Sequence, residues 1–567
     1  MRLSLVLRAV TTSWVAVIAN ASVGIFLTPY VLHRLGDEAF GVWVLTTNLV
    51  GYYGILDAGV RSAILRYVSK HKELNQHERV NEVVASAFYY YLGACCLVIL
   101  ATHLSVAPVS RFFSIHSNVL ADFKSLFLLA GLVQGLMLPL IVFASSLEAA
   151  GRFDQVYLTT VTCLGLRVAA IIYVLHAGGG LFAVGATTIL SQLLSYCIQV
   201  PLALRAHPGF TLHPKWIRMS VFRNMLRYGS ISVGVGIAER MRTYIYPVLI
   251  ARFLSPIAVT IFSLPMKILS FPGEGIGTMT EIMNPLSSQL EARNDFAKLR
   301  ELIQMSVQSA FLLLAPFAAF LFIFGKELLT LWVGPQYAIA YRLLVFLTLG
   351  VGVAATQCCV QSMLFGIERH KQLFWYRLGE GVSITVLGAV ALQIAGLQGL
   401  AIVMAVTLLL TSLVLVPRHL CKILDLPLRR YLIQGCVKPC LLSLPAAATF
   451  LACRFIFDVD TWPDLLFTAL AGCVVYALTL LLVSRYDSNP AFRAFRLDVL
   501  QLLGRKFSLI PESKGLGMAD YGACLERPVH PSLEGVYRPG SKLVKRLYRS
   551  QMQKIGKPSS WEENEPI

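Results

Sequence analysis

Six ionisable residues fall inside two neighbouring apolar stretches in the middle of the chain: Glu239, Arg240 and Arg242 within 230–250, and Lys267, Glu274 and Glu281 within 256–286. A charge at bilayer depth is costly unless it faces a partner or a watery interior, so such residues mark a functional site by default. Lys267, Glu274 and Glu281 recur every seventh residue, which on a helix rotates only about 20° per step and keeps all three on one stripe. Pro265, Pro272, Gly273, Gly275, Gly277 and Pro285 lie along the same stretch, where Pro kinks a helix and Gly lowers the cost of bending. A broken helix with a charged stripe suits the wall of a polar cavity. Ion pairing that merely locks helices together is the alternative.

Glu239 and Arg242 stand three residues apart and can pair, while Arg240 projects about 100° away on the same helix. Guanidinium groups hold phosphate bidentately and stay charged at any relevant pH, so Arg240 and Arg242 suit a pyrophosphate or an acidic sugar. Pairing with a carboxylate of the following stretch is the competing reading. Nearer the N-terminus, Asp57 and Arg61 are spaced i to i+4 and either pair with each other or touch substrate. Asn20, Asn48, Gln134, Gln357 and Gln361 add polar groups, each equally suited to binding neighbouring helices together. Arg167, Arg377 and Glu380 are further intramembrane charges of no assigned role, with Arg377 close enough to a span end to snorkel.

The elements that must position these groups are membrane helices. The chain has 567 residues, 56% of them hydrophobic and only 14% charged, with a mean hydropathy of +0.66, outside the range of soluble domains. Apolar runs of the roughly 20 residues needed to span hydrocarbon recur at 10–32, 40–60, 83–105, 123–147, 157–177, 180–203, 228–251, 256–287, 306–325, 342–364, 373–393, 396–416, 436–455 and 465–484. Arg2 and Arg8 precede the first run as in a leader peptide, but the run continues to Val31 and more spans follow, so it reads as a span. Of the 49 Lys and Arg, 37 fall on the face that carries both termini and 7 on the other, which predicts cytoplasmic termini. The net charge of +18 therefore reflects topology and attraction to lipid headgroups rather than a nucleic-acid surface.

Two stretches repeat. FLTPYVLHRLGDEAFGVWVL at 26–45 and YPVLIARFLSPIAVTIFSL at 246–264 each end one span, turn and begin the next. Leu35 aligns with Leu254 and Ala39 with Ala258 at an offset of 219 residues, and Gly180-Leu181 meets Gly399-Leu400 at the same offset. A duplicated six-span unit follows, with both copies running in the same direction. The expected organisation is an N-terminal six-helix lobe at 1–205, a C-terminal six-helix lobe at 220–417, a terminal helix pair at 430–485 and a basic cytoplasmic tail at 486–567. Within that tail, 491–507 reads as an amphipathic helix lying on the membrane.

Several chemistries are missing from the sequence. No P-loop pattern occurs, neither His71 with His77 nor His207 with His213 has the helical spacing of a zinc pair, and the 12 cysteines show neither metal-ligand nor disulfide spacing. No long extramembrane loop is present to hold an acceptor against a reacting carbon, as a membrane polymerase or ligase needs. Neither a catalytic residue, a cofactor nor a metal is expected.

LDAGVRSAILRYV at 56–68, the PYVLHRLGDEAFGVW turn before it, SLEAAGRFD at 146–154 and IARFLSPIAVTIFSL at 250–264 together resemble the polysaccharide transporter branch of the multidrug/oligosaccharidyl-lipid/polysaccharide exporter superfamily. The resemblance covers roughly residues 8 to 484. It implies an all-α polytopic membrane protein of about fourteen transmembrane helices, two pseudo-symmetric six-helix lobes around a cleft plus a terminal pair, similar to multidrug exporters of that superfamily. It implies a flippase, not an enzyme, that moves an undecaprenyl-pyrophosphate oligosaccharide across the bacterial inner membrane, with polysaccharide polymerase and glycosyltransferases as candidate partners. The anionic head would meet basic cleft residues, a region matched by Arg240 and Arg242. That branch often shows Asp-Arg where this chain has Glu239-Arg240, and the acids Glu274 and Glu281 leave the charge of the cleft open. The alternatives are a cation-coupled multidrug exporter relying on Asp57, Glu274 and Glu281, and, from other classes, a polymerase, a ligase or a scaffold recruiting enzymes through its tail.

Overall fold

The computed structural model describes residues 3–486 apart from positions 58, 75, 114, 116, 208, 368 and 370. The amphipathic helix expected at 491–507 lies outside the described residues, as does the side chain of Glu281. Among the described residues there is no strand, as expected where backbone groups in hydrocarbon must be satisfied within each segment.

The first half of the chain forms α1 (Leu3–Leu35), α2 (Asp37–Gly51), α3 (Val60–Glu73), α4 (His77–Phe112), α5 (Ser117–Ala149), α6 (Phe153–His176) and α7 (Leu181–Ala206). A 3-10 turn, Tyr52–Asp57, extends α2. The second half begins with α8 (Met219–Phe253), α9 (Pro256–Ala292) and α10 (Phe296–Val333), then α11 (Tyr341–Leu347), α12 (Val353–Thr356) and α13 (Cys358–Gly366), three pieces of one span. Next come α14 (Lys371–Leu410), broken at Ala395 and Gly396, α15 (Val416–Leu424), α16 (Leu428–Leu432), α17 (Lys438–Leu442), α18 (Leu444–Ile456) and α19 (Trp462–Tyr486). Eleven segments among the described residues are long and apolar enough to cross a membrane, and the one at Lys371–Leu424 contains that break. Each of the fourteen expected spans coincides for most of its length with helix among the described residues, so the count of fourteen is compatible with the structure.

The offset seen in the sequence recurs in the geometry. α2 starts at Asp37 and α9 at Pro256, 219 residues apart, and the positive-φ glycines that turn the chain before the sixth and twelfth spans, Gly178 and Gly396, are 218 apart. At the second helix start Ser255 Oγ accepts the Ala258 N–H at 3.2 Å, with Pro256 at the first helical position, where its missing N–H costs nothing.

α4, α5, α6 and α7 pack together with α1 and α3, while α8 lies on α14 and α9 on α13; α2 joins the two groups by packing on α8 and α9. The joint is close at the starting ends of α2 and α9. Thr260 Oγ1 donates to the Asp37 carbonyl at 2.6 Å, and a Cβ placed on Gly41 would lie 1.9 Å from the Pro256 carbonyl oxygen. Gly41→Ala is therefore expected to cost about 1–3 kcal/mol through overpacking against backbone, read as a lowered melting temperature of the purified protein. The terminal pair α18 and α19 rests on α10, with Phe450 and Phe324 in its core and Arg454 paired with Glu327 at 3.2 Å.

One element differs from the expectation. The segment after the second span was expected to be a loop; it is α3, whose Val60, Ala63, Ile64 and Val68 are buried. These recur at helical spacing and supply the apolar face that burial requires.

Candidate functional site

A cavity of about 500 Å³ opens between α1, α2, α6 and α7 on one side and α8 and α9 on the other. Three charged side chains line it: Arg167 on α6, and Lys267 and Glu274 on α9. Two cations against one carboxylate give its described wall a formal charge of +1. Lys267 crosses from α9 onto α1, where a Cβ on Gly24 would meet its Cε at 2.8 Å. Only the missing side chain of Gly24 lets the ammonium stem lie there. Deeper along the same wall, Asn20 Nδ2 donates to Glu274 Oε2 at 3.3 Å, a bond between α1 and α9.

The helix geometry sets the depth of these groups. Arg167 stands nine residues before the end of α6 and Lys267 eleven after the start of α9, and both ends lie on the same face of the bundle by helix alternation. At 1.5 Å per residue the two cations lie at about 13 and 16 Å from that face, nearly level and on opposite sides. Arg167 has no carboxylate partner among the described residues. An unpaired guanidinium opposite an ammonium in one chamber suits a compact dianion.

Glu239 and Arg242 are taken up elsewhere. Arg242 hydrogen-bonds Glu239 through a guanidinium N–H and lies 3.5 Å from Glu380 on α14; Arg377 reaches Glu239 at 3.2 Å and Glu380 at 2.5 Å. The four residues alternate in sign and sum to zero. Arg377 and Glu380 are 4% and 2% exposed, so Arg377 does not snorkel; it is buried in a network. The competing reading places a carboxylate of the following span beside these arginines; among the described residues the second acid that Arg242 meets is instead Glu380 on the eleventh span.

Arg240 points from the same turn of α8 toward the other bundle. Its Nη1 lies 3.5 Å from the Gly51 carbonyl, and a Cβ on Gly54 would fall 2.2 Å from that nitrogen. It lines the seam between α8 and the end of α2 rather than the cavity. Asp57 accepts the Arg61 backbone N–H at 3.3 Å and the Tyr91 hydroxyl, whereas the Arg61 guanidinium reaches Glu148 at 2.7 Å. Burial alone would depress the Arg61 guanidinium, but Glu148 beside it reverses this and holds it above the ordinary arginine range.

Lys267, Glu274 and Asn20 thus share one chamber, while Asp57, Arg61, Glu239, Arg240 and Arg242 lie outside its lining. Arg167 carried no role in the sequence because a single charge in one span has no visible partner across the fold. Among the described residues no group of His, Cys, Asp or Glu has the geometry of a metal site.

Residues 31–342 match the family described as polysaccharide biosynthesis protein. Relatives include the uncharacterized membrane protein EpsK of Bacillus subtilis, 21% identical over 85% of this chain and 96% of its own length. A protein of Shigella flexneri carrying the name O-antigen transporter is 21% identical over 68% of this chain and 91% of its own. The succinoglycan biosynthesis transport protein ExoT of Rhizobium meliloti is 23% identical over 65% and 70%. Among solved structures, the lipid II flippase MurJ in an inward closed conformation aligns with a TM-score of 0.63 over 85% of this chain and 99% of its own at 10% identity. An inward-facing multidrug resistance MATE family transporter gives 0.61 over 72% and 95% at 14%. Both share the all-helical fold.

Proposed function

The chain belongs to the polysaccharide biosynthesis protein family, and on that premise we propose that it is a flippase for a polyprenyl-pyrophosphate-linked oligosaccharide in surface polysaccharide assembly. The observation that carries this reading is the pairing of Arg167 and Lys267 across one chamber, a charge arrangement suited to a diphosphate. Relatives named for transport of O-antigen and succinoglycan support the same class of cargo.

In this reading the lobes are 1–205 and 220–417, the pair 430–485 braces the second lobe, and the protein is multi-pass in the bacterial inner membrane with both termini cytoplasmic. The close joint where α2 and α9 begin then faces outward, and the chamber is loaded from the cytoplasm while the polyprenyl tail stays in lipid. Rocking of the lobes reopens it outward. Glycosyltransferases act before that step and a polysaccharide polymerase after it, as partners. A cation-coupled multidrug exporter of the same fold is the competing reading; the formal +1 of the chamber's described wall disfavours an organic cation.

The test is reconstitution into vesicles containing a fluorescent undecaprenyl-pyrophosphate tetrasaccharide, with leaflet exposure read by a membrane-impermeant quencher. The protein is expected to bring inner-leaflet cargo within reach of the quencher. Unchanged exposure, together with export of a cationic dye by the same vesicles, would reassign it to drug export.

A further inference from the structure

Trp43, Phe40 and Tyr246 line the same chamber at its other end. Phe40 and Trp43 are three and six residues into α2, placing them about 4 and 9 Å from the close joint at 1.5 Å per residue, whereas Lys267 and Glu274 lie at about 16 and 27 Å. The chamber is therefore graded along its axis, aromatic next to the joint and charged farther in. Phe40 and Trp43 hold each other edge to face at 5.6 Å and 86°, which fixes the indole in the wall. The Trp43 Nε1–H has no acceptor among the described residues.

Two hydroxyls in that wall are already committed as donors. Thr28 Oγ1 donates to the Gly24 carbonyl at 2.5 Å and Ser263 Oγ to the Thr260 carbonyl at 2.8 Å. A hydroxyl has one hydrogen and two lone pairs, so each presents the chamber with acceptor capacity only. Acceptors cannot satisfy a phosphate oxygen, but they match the O–H donors of a polyol. An aromatic face matches the C–H face of a pyranose ring, which buries apolar area and makes weak C–H contacts.

We infer that Trp43, backed by the buried rings of Phe40 and Tyr246, forms with the acceptors of Thr28 and Ser263 a neutral-saccharide subsite, which receives the sugar end of the cargo ahead of its anionic end. The inference rests on the flippase reading and adds to it the direction of loading: sugars toward the joint, the diphosphate level with Arg167 and Lys267, the lipid trailing. Because the aromatic end contains no charged side chain among the chamber's described lining, selection there acts on shape and hydroxyl pattern.

The test uses full-length protein in nanodiscs and two kinds of probe, inorganic pyrophosphate and a panel of neutral tetrasaccharides (maltotetraose, cellotetraose and chitotetraose). Saturation-transfer NMR reads sugar protons against the protein. At least one sugar is expected to show transfer, with Trp43→Leu lowering it about fivefold or more and Trp43→Phe, which keeps a ring, retaining most of it. Pyrophosphate affinity is expected to stay within about twofold in both variants, which also reports that the chamber is folded. Absence of transfer from every sugar, or transfer undiminished in Trp43→Leu, overturns the subsite. Unchanged pyrophosphate affinity in both Arg167→Ala and Lys267→Ala overturns the anion-binding reading instead, and leaves the sugar result to stand or fall by itself.

Discussion

Arg377→Ala and Glu380→Ala are each expected to cost about 3–5 kcal/mol of stability, the penalty for leaving one member of a buried ion pair uncompensated. In Arg377→Ala the Glu380 carboxylate, 2% exposed, keeps only the contact at 3.5 Å to Arg242; in Glu380→Ala the Arg377 guanidinium keeps only Glu239. Glu239 is the more accessible of the two acids, 39% exposed at its side chain, and Glu239→Gln is expected to cost less. Replacing all four residues with apolar side chains of similar volume removes the desolvation penalty along with the attraction, and is expected to be near neutral or stabilising. Thermal aggregation of detergent-purified protein checks the series. Equal losses in the single variants and the quadruple one would mean that the network has a role beyond internal compensation.

The arrangement of that network also shows what a sequence conceals. Glu239 and Arg242 were legible as an i, i+3 pair because the spacing is local. Their second partners lie 138 residues away, from 239 to 377 and from 242 to 380, and no local rule reaches that far. A signal was nevertheless present: Glu-x-x-Arg on the seventh span and Arg-x-x-Glu on the eleventh are complementary in register when two helices run the same way, as two odd-numbered spans do. The span pattern itself was legible throughout, since each helix must satisfy its own backbone in lipid and therefore announces itself by length and apolarity. The turn at Gly36 to Asp37 and its counterpart at Ser255 to Pro256 were legible from the offset. α3 was missed because its apolar positions, Val60, Ala63, Ile64 and Val68, are too few for a span, although their helical spacing was there to be read.

The chamber was only partly legible for a different reason. Lys267 and Glu274 stood out as charges on one stripe, and α9 does turn both toward the cavity. Arg240 stood out equally, yet it serves the seam, because the space beside Gly54 lies about 160° round α8 from where Arg242 is held. Trp43 and Phe40 gave no signal at all. Aromatic residues in an apolar span are indistinguishable from core until a cavity is seen beside them.

Arg167→Ala and Lys267→Ala are each expected to lower the affinity for pyrophosphate by about 10- to 150-fold, the equivalent of one hydrogen bond to a charged group at about 1.5–3 kcal/mol. Titration calorimetry on protein in nanodiscs measures it. The two losses are not expected to add. If one dianion is held between α6 and α9, each cation fixes the ligand for the other, so the double variant should lose less than the sum of the singles, and the shortfall is the coupling between the lobes. Arg167→Lys keeps the charge but removes the bidentate fork, and is expected to recover only part of the loss. In cells lacking their own copy of the gene, both alanine variants should insert normally yet leave surface polysaccharide reduced about tenfold or more. Strict additivity would place the two cations in separate contacts, and the dianion would then have no means of drawing the lobes together. Because a ligand moves a conformational equilibrium only through its differential affinity for the two states, that result would also remove cargo binding as the cause of closure and shift the driving force to another group in the protein.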